Sequence, residues 1–213
     1  KNYGSGHVKN KLLFLGCNHS QVPYLEVLKT QNWNIIGVDL NSDSPGADLC
    51  DRFYNVGYDD LGGLIDIGEK EKFTKEDRVF TAAAQFAHKG AAHFAKHFGI
   101  PYASEESVDL CLDKAAYYKY FQQNNIPIPR TWYIKNKVEL KELVLSMNEI
   151  NWYYLKSDYS KNPNYVYRFN ASDIPFKNIF WGRNRYLRDF YILQEEFAGV
   201  SLRLNVYADR FNV

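Results

Sequence analysis

Apolar residues come first in short unbroken runs and later in alternation, and the two patterns predict two kinds of sheet. Leu12 to Leu15 (LLFL) and Ile35 to Leu40 (IIGVDL) are continuous runs, as expected of strands buried on both faces of a parallel sheet. Arg52 to Val56 and Val79 to Ala83 predict a third and a fourth strand. Helical patterns fall between them: Ser20 to about Gln31 with an apolar stripe of Val22, Leu25, Val27 and Leu28, then Leu61 to Glu69, then Phe86 to Phe98. Gly99 and Pro101 stop the last of these in the usual glycine-then-proline order. Strands separated by helices at this spacing imply right-handed crossovers onto an open parallel sheet, so residues 1–103 predict an α/β domain.

From Ser104 the texture changes to α+β with hairpins. Two helical segments cover Ser104 to Asn124, with Asp113 the N-cap of the second. The prolines of IPIPRTWYI, Ile126 to Ile134, hand over to an extended run. Val138 to Met147 predicts an amphipathic helix, Trp152 to Lys156 a strand, and Tyr165 to Phe169 its antiparallel partner. Tyr191 to Glu196 reads as a further strand, and Leu202 to Ala208 and Arg210 to Val213 as two more around a turn at Asp209. Residues 104–213 thus form the second unit, and no internal repeat or low-complexity tract appears.

Composition narrows the classes. With 213 residues, 46% apolar and 24% charged, the chain is neither disordered nor fibrous and is long enough to bury a real core. Lys and Arg total 26 against 25 Asp and Glu, so the broad positive field of a nucleic-acid binder is absent and an anionic partner must be held locally. No apolar stretch approaches the ~18 residues that span a bilayer. The polar start from Lys1 to Lys11 is unlike a secretory signal, so no membrane association and a cytoplasmic location are expected. Cys17, Cys50 and Cys111 are an odd number, far apart, and predict reduced thiols rather than a disulfide framework or zinc site.

Candidate chemistry starts after the first strand. A dinucleotide site needs several glycines there, whereas Gly16-Cys17-Asn18-His19-Ser20 has one; Asp39, ending the second strand, sits where a ribose-binding carboxylate would. A phosphate-binding P-loop is absent. His93 and His97, four apart on a helix, are spaced for a metal but lack the Glu of His-Glu-x-x-His and are flanked by Lys89 and Lys96, so a solvated helix face is the better reading. Cys17 with His19 reads as a buried thiol beside a loop histidine rather than as a nucleophile and base. Arg183, Arg185 and Arg188 read as a solvated face or a hold on a small phosphate. Lys156 is stronger: it ends an apolar strand and leads into a polar loop, so its ammonium sits on a rigid element within reach of a phosphate, though an ordinary strand-end lysine reads equally well locally. Lys114 beside Asp113 is weaker in isolation, and Glu195 with Glu196 form either a ligand-edge pair or the polar end of a strand.

These elements lie in the order of the ATP-grasp superfamily, and the chain resembles the first two-thirds of its carbamoyl-phosphate-synthase-like and carboxylate–amine ligase members. Phe14 to Val56 resembles the α/β domain that precedes the grasp. FGIPYASEESVDLCLDKAAYYKYFQQNNIPIPRT, Phe98 to Thr131, resembles the entry into the ATP-binding region, YYLKSD (Tyr153 to Asp158) the strand with the phosphate-binding lysine, and LQEEFAG (Leu193 to Gly199) the hinge that holds adenine. The resemblance implies that Lys114 and Lys156 contact ATP phosphates, that the main chain from Glu195 through Glu196 and Phe197 to Ala198 pairs with the adenine edge, and that Phe197 packs on the base. It further implies ATP and Mg²⁺ as cofactors, a small-molecule carboxylate activated as an acyl phosphate for attack by an amine, and metal ligands beyond Val213, the grasp being cut short. A homodimer is compatible with it.

Three departures stand out. The loop after Lys156, Ser157 to Val166 (SDYSKNPNYV), has no glycine and carries Pro163, which removes a backbone donor, so it cannot cradle phosphate in the usual way, and Ser160, Lys161 or Tyr165 could substitute through side-chain contacts. Ser201 stands where the ribose carboxylate is usual, and the hinge is one residue short between Phe197 and Gly199. The metal-binding lobe would follow Val213. The alternative is a non-catalytic ATP-grasp-like module for nucleotide binding or assembly.

Overall fold

The computed structural model describes residues 9–82, 84–147, 151–159, 163–183, 187, 189–197 and 199. Four strands, β1 (Lys11–Leu15), β2 (Asn34–Val38), β3 (Arg52–Tyr54) and β4 (Arg78–Phe80), form a parallel sheet in the order β3-β2-β1-β4. The unbroken apolar runs are explained by burial on both faces. Leu13, Leu15, Ile36 and Val38 pack on one side with α2 (Leu61–Lys70) and α3 (Ala87–Phe98), while Phe14 and Ile35 pack on the other with Leu25 of α1 (Val22–Lys29). Each such side chain taken out of water contributes ~1.5–3 kcal/mol.

Observed boundaries are tighter than the pattern suggested. The first helix spans Val22–Lys29 rather than Ser20 to Gln31, and Val27 is exposed, since it lies on the face turned away from Leu25. The fourth strand is Arg78–Phe80, displaced from Val79 to Ala83, because its pairing with β1 runs only from Leu12 to Phe14. Local stop signals held. Gly99 ends α3 in the left-handed region at φ 66° and its N–H bonds to Ala95 O. The Asp113 carboxylate accepts from the Ala116 N–H at 2.8 Å and starts α5 (Lys114–Gln123), directly after α4 (Glu105–Leu112).

The second sheet is antiparallel in the order β5-β8-β6-β7, from β5 (Thr131–Ile134), β6 (Trp152–Ser157), β7 (Val166–Asn170) and β8 (Tyr191–Glu195). One face carries Ile134, Tyr153, Leu155, Phe169, Tyr191 and Leu193 and is closed by Leu140 and Val144 of α6 (Lys137–Leu145). No helix among the described residues is long and apolar enough to cross a membrane. The expected strands at 202–213 lie outside the described residues.

Candidate functional site

Alternation along the strands of the second sheet decides which side chains share its other face. Register sets Thr131, Gln194, Tyr154 and Arg168 in one row across all four strands, with Lys156 opposite Ile192 in the next. This face carries most of the sheet's polar side chains, together with Ile192 and Trp152, where the opposite one is packed with apolar side chains. Helix α5 lies over part of it, and the Tyr118 hydroxyl donates to Gln194 Oε1 at 3.1 Å.

Two lysines meet at one corner. Lys156 Nζ donates to Gln194 Oε1 at 2.8 Å and lies 5.7 Å from the centre of the Tyr154 ring. Lys114, first residue of α5, is tied to the end of β6 by its main-chain N–H, which donates to Asp158 O at 2.7 Å; Asp113 and Tyr159 form a bridge beside it. Burial pushes the Lys114 ammonium from the ordinary lysine value of 10.5 down to about 8; Asp158 opposes this, Lys156 adds to it by repulsion, and Asp113 opposes it weakly. The corner therefore brings together two lysines and two carboxylates, with Asp158 offsetting the repulsion between the ammonium groups. Asp158 is only 4% exposed, and its carboxylate accepts from the N–H groups of Asp189 at 2.8 Å and Phe190 at 3.0 Å, which fixes the start of the loop after β6.

At the end of β8, a cleft of about 400 Å³ is lined by Asn151, Trp152, Arg168, Glu195, Glu196, Phe197 and Gly199. Glu196 takes a forked pair from Arg168 at 2.8 to 3.2 Å and a 3.2 Å bond from the Tyr154 hydroxyl, and these hold its carboxylate below the usual range. The Arg168 guanidinium stacks on Trp152, 3.9 Å from the ring centre. Glu195 accepts from Asn151 Nδ2 at 2.8 Å. The N–H of Glu195 donates to Arg130 O and that of Glu196 to Trp152 O, so both are engaged within the protein. Phe197 itself is 71% exposed.

Of the residues named from sequence, Lys114 and Lys156 come together, and Glu195, Glu196 and Phe197 line one cleft; Ser160, Lys161, Ala198 and Ser201 lie outside the described residues. Gln194, Tyr118, Arg168 and Asp158 went unnoticed. For Gln194 and Arg168 the available signal was a polar residue at an alternate position of a strand. Tyr118 and Asp158 are placed by contacts between elements and had none.

The remaining candidates are engaged elsewhere. Asp39 accepts from the Cys17 N–H at 2.7 Å and the Asn41 N–H at 2.9 Å, bracing the turn after β1. His93 meets Glu105 at 2.9 Å while His97 lies 3.9 Å from Glu69, so the pair serves two different carboxylates. The Cys17 thiol is buried and faces Cys50, whereas His19 is exposed. Arg183 pairs with Asp189 at 3.0 Å; Arg185 and Arg188 lie outside the described residues.

No family model matches the sequence, and no curated protein matches it. Solved structures do match. N5-carboxyaminoimidazole synthetase from Staphylococcus aureus, complexed with ADP, superposes with a TM-score of 0.65 at 11% identity, covering 88% of this chain and 47% of that one. Phosphoribosylglycinamide synthetase from Anaerococcus prevotii gives 0.59 at 18%, with 89% and 46% covered. The biotin carboxylase domain of 2-oxoglutarate carboxylase from Hydrogenobacter thermophilus, in complex with MgADP, gives 0.64 at 12%, with 89% and 44% covered. Over the part covered, the chain has the fold of these structures. The chain spans about half the length of the solved structures it matches, a smaller share than the expected two-thirds. Alternation along β6 sets Trp152, Tyr154 and Lys156 on one face of the second sheet, so Lys156 and the cleft lined by Trp152 and Arg168 share that face.

Proposed function

We propose that the chain is the nucleotide-binding part of an ATP-dependent ligase that activates a carboxylate as an acyl phosphate for attack by an amine. The observation that supports it most is the pairing of Lys114 and Lys156 at one corner of a polar sheet face within an ATP-grasp fold. Residues 1–103 are the preceding α/β domain and 104–213 the nucleotide lobe. Lys114 and Lys156 hold the phosphates as point charges, aided by Ser160 and Lys161 from the loop after β6. The main chain from Glu195 to Ala198 takes the adenine edge, with Phe197 against the base and Ser201 toward the ribose. A substrate carboxylate oxygen attacks the γ-phosphorus and ADP departs; the amine then adds to the acyl carbon and phosphate leaves. The chain's contribution is to orient the phosphates and balance their charge through its two lysines.

Among the described residues no group of three or more His, Cys, Asp or Glu is placed to hold a metal ion. A homodimer acting in the cytoplasm on small-molecule carboxylate and amine substrates completes the proposal. One observation favours a second reading, a non-catalytic nucleotide-binding or assembly module: the glycine-free loop after β6 begins with Asp158 locked to Asp189 and Phe190, which restrains closure over a phosphate.

The test is ATP titration of the intact protein, wild type and Lys156→Ala, followed by carboxylate-dependent ADP release. Loss of one phosphate-binding ammonium is expected to weaken ATP about tenfold or more. Unchanged affinity removes Lys156 from the phosphate role; failure of the wild type to bind ATP overturns the nucleotide reading. ATP binding without ADP release under any carboxylate and amine pair selects the second reading.

A further inference from the structure

Resting on the assignment of Lys156 to the nucleotide phosphates, we propose that Gln194 is a positioning residue that aims the Lys156 ammonium while leaving its charge available. Gln194 is 2% exposed and occupies β8, the strand between β5 and β6. Its Oε1 accepts from Lys156 Nζ at 2.8 Å and from the Tyr118 hydroxyl at 3.1 Å, and its Nε2 donates to Thr131 Oγ1 at 3.0 Å.

The direction of this network is set from its far end. The Thr131 hydroxyl donates to Pro129 O at 2.7 Å, so its oxygen is left to accept from Gln194 Nε2. Turning the amide over would set its NH₂ against the Lys156 ammonium, donor facing donor, and its carbonyl against a Thr131 oxygen whose hydrogen is already given to Pro129 O. The carbonyl end therefore faces Lys156, held by groups on β5, on α5 and on β6 itself.

A lysine head on a four-carbon stem is a mobile point charge, and holding it at one place lowers the entropy lost when an anion arrives. One of its three donors is committed to Gln194, which leaves two for a phosphate. The chemistry of the acceptor matters as much as its place. A carboxylate at this site would hold the ammonium equally well but neutralise it, whereas a neutral amide fixes the position and leaves the full positive charge directed at the ligand. The sequence pattern carries no such information, because a glutamine inside YILQE has no partner until the register brings β6 and β5 to either side of it.

The experiment titrates the intact protein with ATP and, separately, with adenosine, which shares the base and ribose but has no phosphate. Gln194→Met keeps the side-chain volume and removes the acceptor. It is expected to weaken ATP about tenfold, to leave adenosine affinity within about twofold, and to add nothing further in a Lys156→Ala background. Gln194→Glu keeps an acceptor for both donors to Oε1 but sets a carboxylate oxygen against Thr131 Oγ1, so it is expected to lower the thermal midpoint by a few degrees while staying folded, and to lose ATP affinity through charge neutralisation. It serves as the readout if the Met variant does not fold. Equal losses for ATP and adenosine, additivity with Lys156→Ala, or full ATP affinity in Gln194→Glu would each overturn the positioning role. A wild type that binds adenosine and ATP with equal affinity overturns the phosphate reading of Lys156 itself, and this proposal with it.

Discussion

Lys114 should cost the protein stability, and the cost should fade in a defined pH window. In the unfolded chain its ammonium titrates near 10.5, and in the folded one burial brings it down to about 8. At ~1.4 kcal/mol per pH unit the ceiling is about 3 kcal/mol. Partial solvent exposure screens the site and leaves about 1–2 kcal/mol as the expected effect. The sign follows from proton counting. Below pH 8 both states are protonated and the native state bears the whole penalty; between about 8 and 10.5 the native state gives up its proton first and stability is regained; above 10.5 the penalty is gone. Lys114→Met keeps most of the packing volume and removes the charge. Urea denaturation should find the variant about 1–2 kcal/mol more stable than wild type at pH 7, with the gap reduced to roughly a quarter at pH 10 and m values unchanged. Comparing the two proteins at each pH cancels the titration of the many tyrosines. A variant less stable than wild type at pH 7, or a gap that does not change with pH, would refute the argument that the lysine is held at a cost. The outcome also bears on function, since a residue that destabilises its own fold is the sort retained for a ligand.

Two further outcomes follow from the packing. Asp158→Ala strips a buried acceptor from the N–H groups of Asp189 and Phe190, so chemical denaturation should register a loss of roughly 3 kcal/mol, and a loss under about 1 kcal/mol would mean the loop finds other partners. Gly90→Ala places a Cβ against the Tyr58 carbonyl oxygen where α3 passes close to the chain before α2, and calorimetry should show a loss of about 2 kcal/mol or more despite the better helix propensity of alanine; a stabilised variant would contradict that close approach.

Much of the first sheet was legible because its signals are local. LLFL and IIGVDL are buried on both faces, and Gly99 and Asp113 end and start helices through bonds to residues within four positions. The errors there are of boundary: strand ends depend on where a neighbour stops pairing, as with β4, and Val27 is apolar without being inward, since hydrophobicity alone does not orient a helix. In the second half the strand and its antiparallel partner were legible from alternation. Of the candidate site, only the two lysines and the β8 end carried a signal in the sequence.

The sequence by itself determined the order of strands and helices, the change from parallel strands in its first part to antiparallel ones in its second, and the presence of lysines at a helix start and a strand end. It also determined that the loop after Lys156 contains no glycine. Tertiary structure decided which of these act together. Lys114 and Lys156, forty-two positions apart, share a corner only because the Lys114 amide docks on Asp158. Gln194 meets Lys156, Tyr118 and Thr131 only because β8 lies between β5 and β6 with α5 above. Local pattern is set by the free energy of burying one face of an element, which a chain encodes residue by residue. The identity of the neighbours across that face is set by register and packing, which it does not.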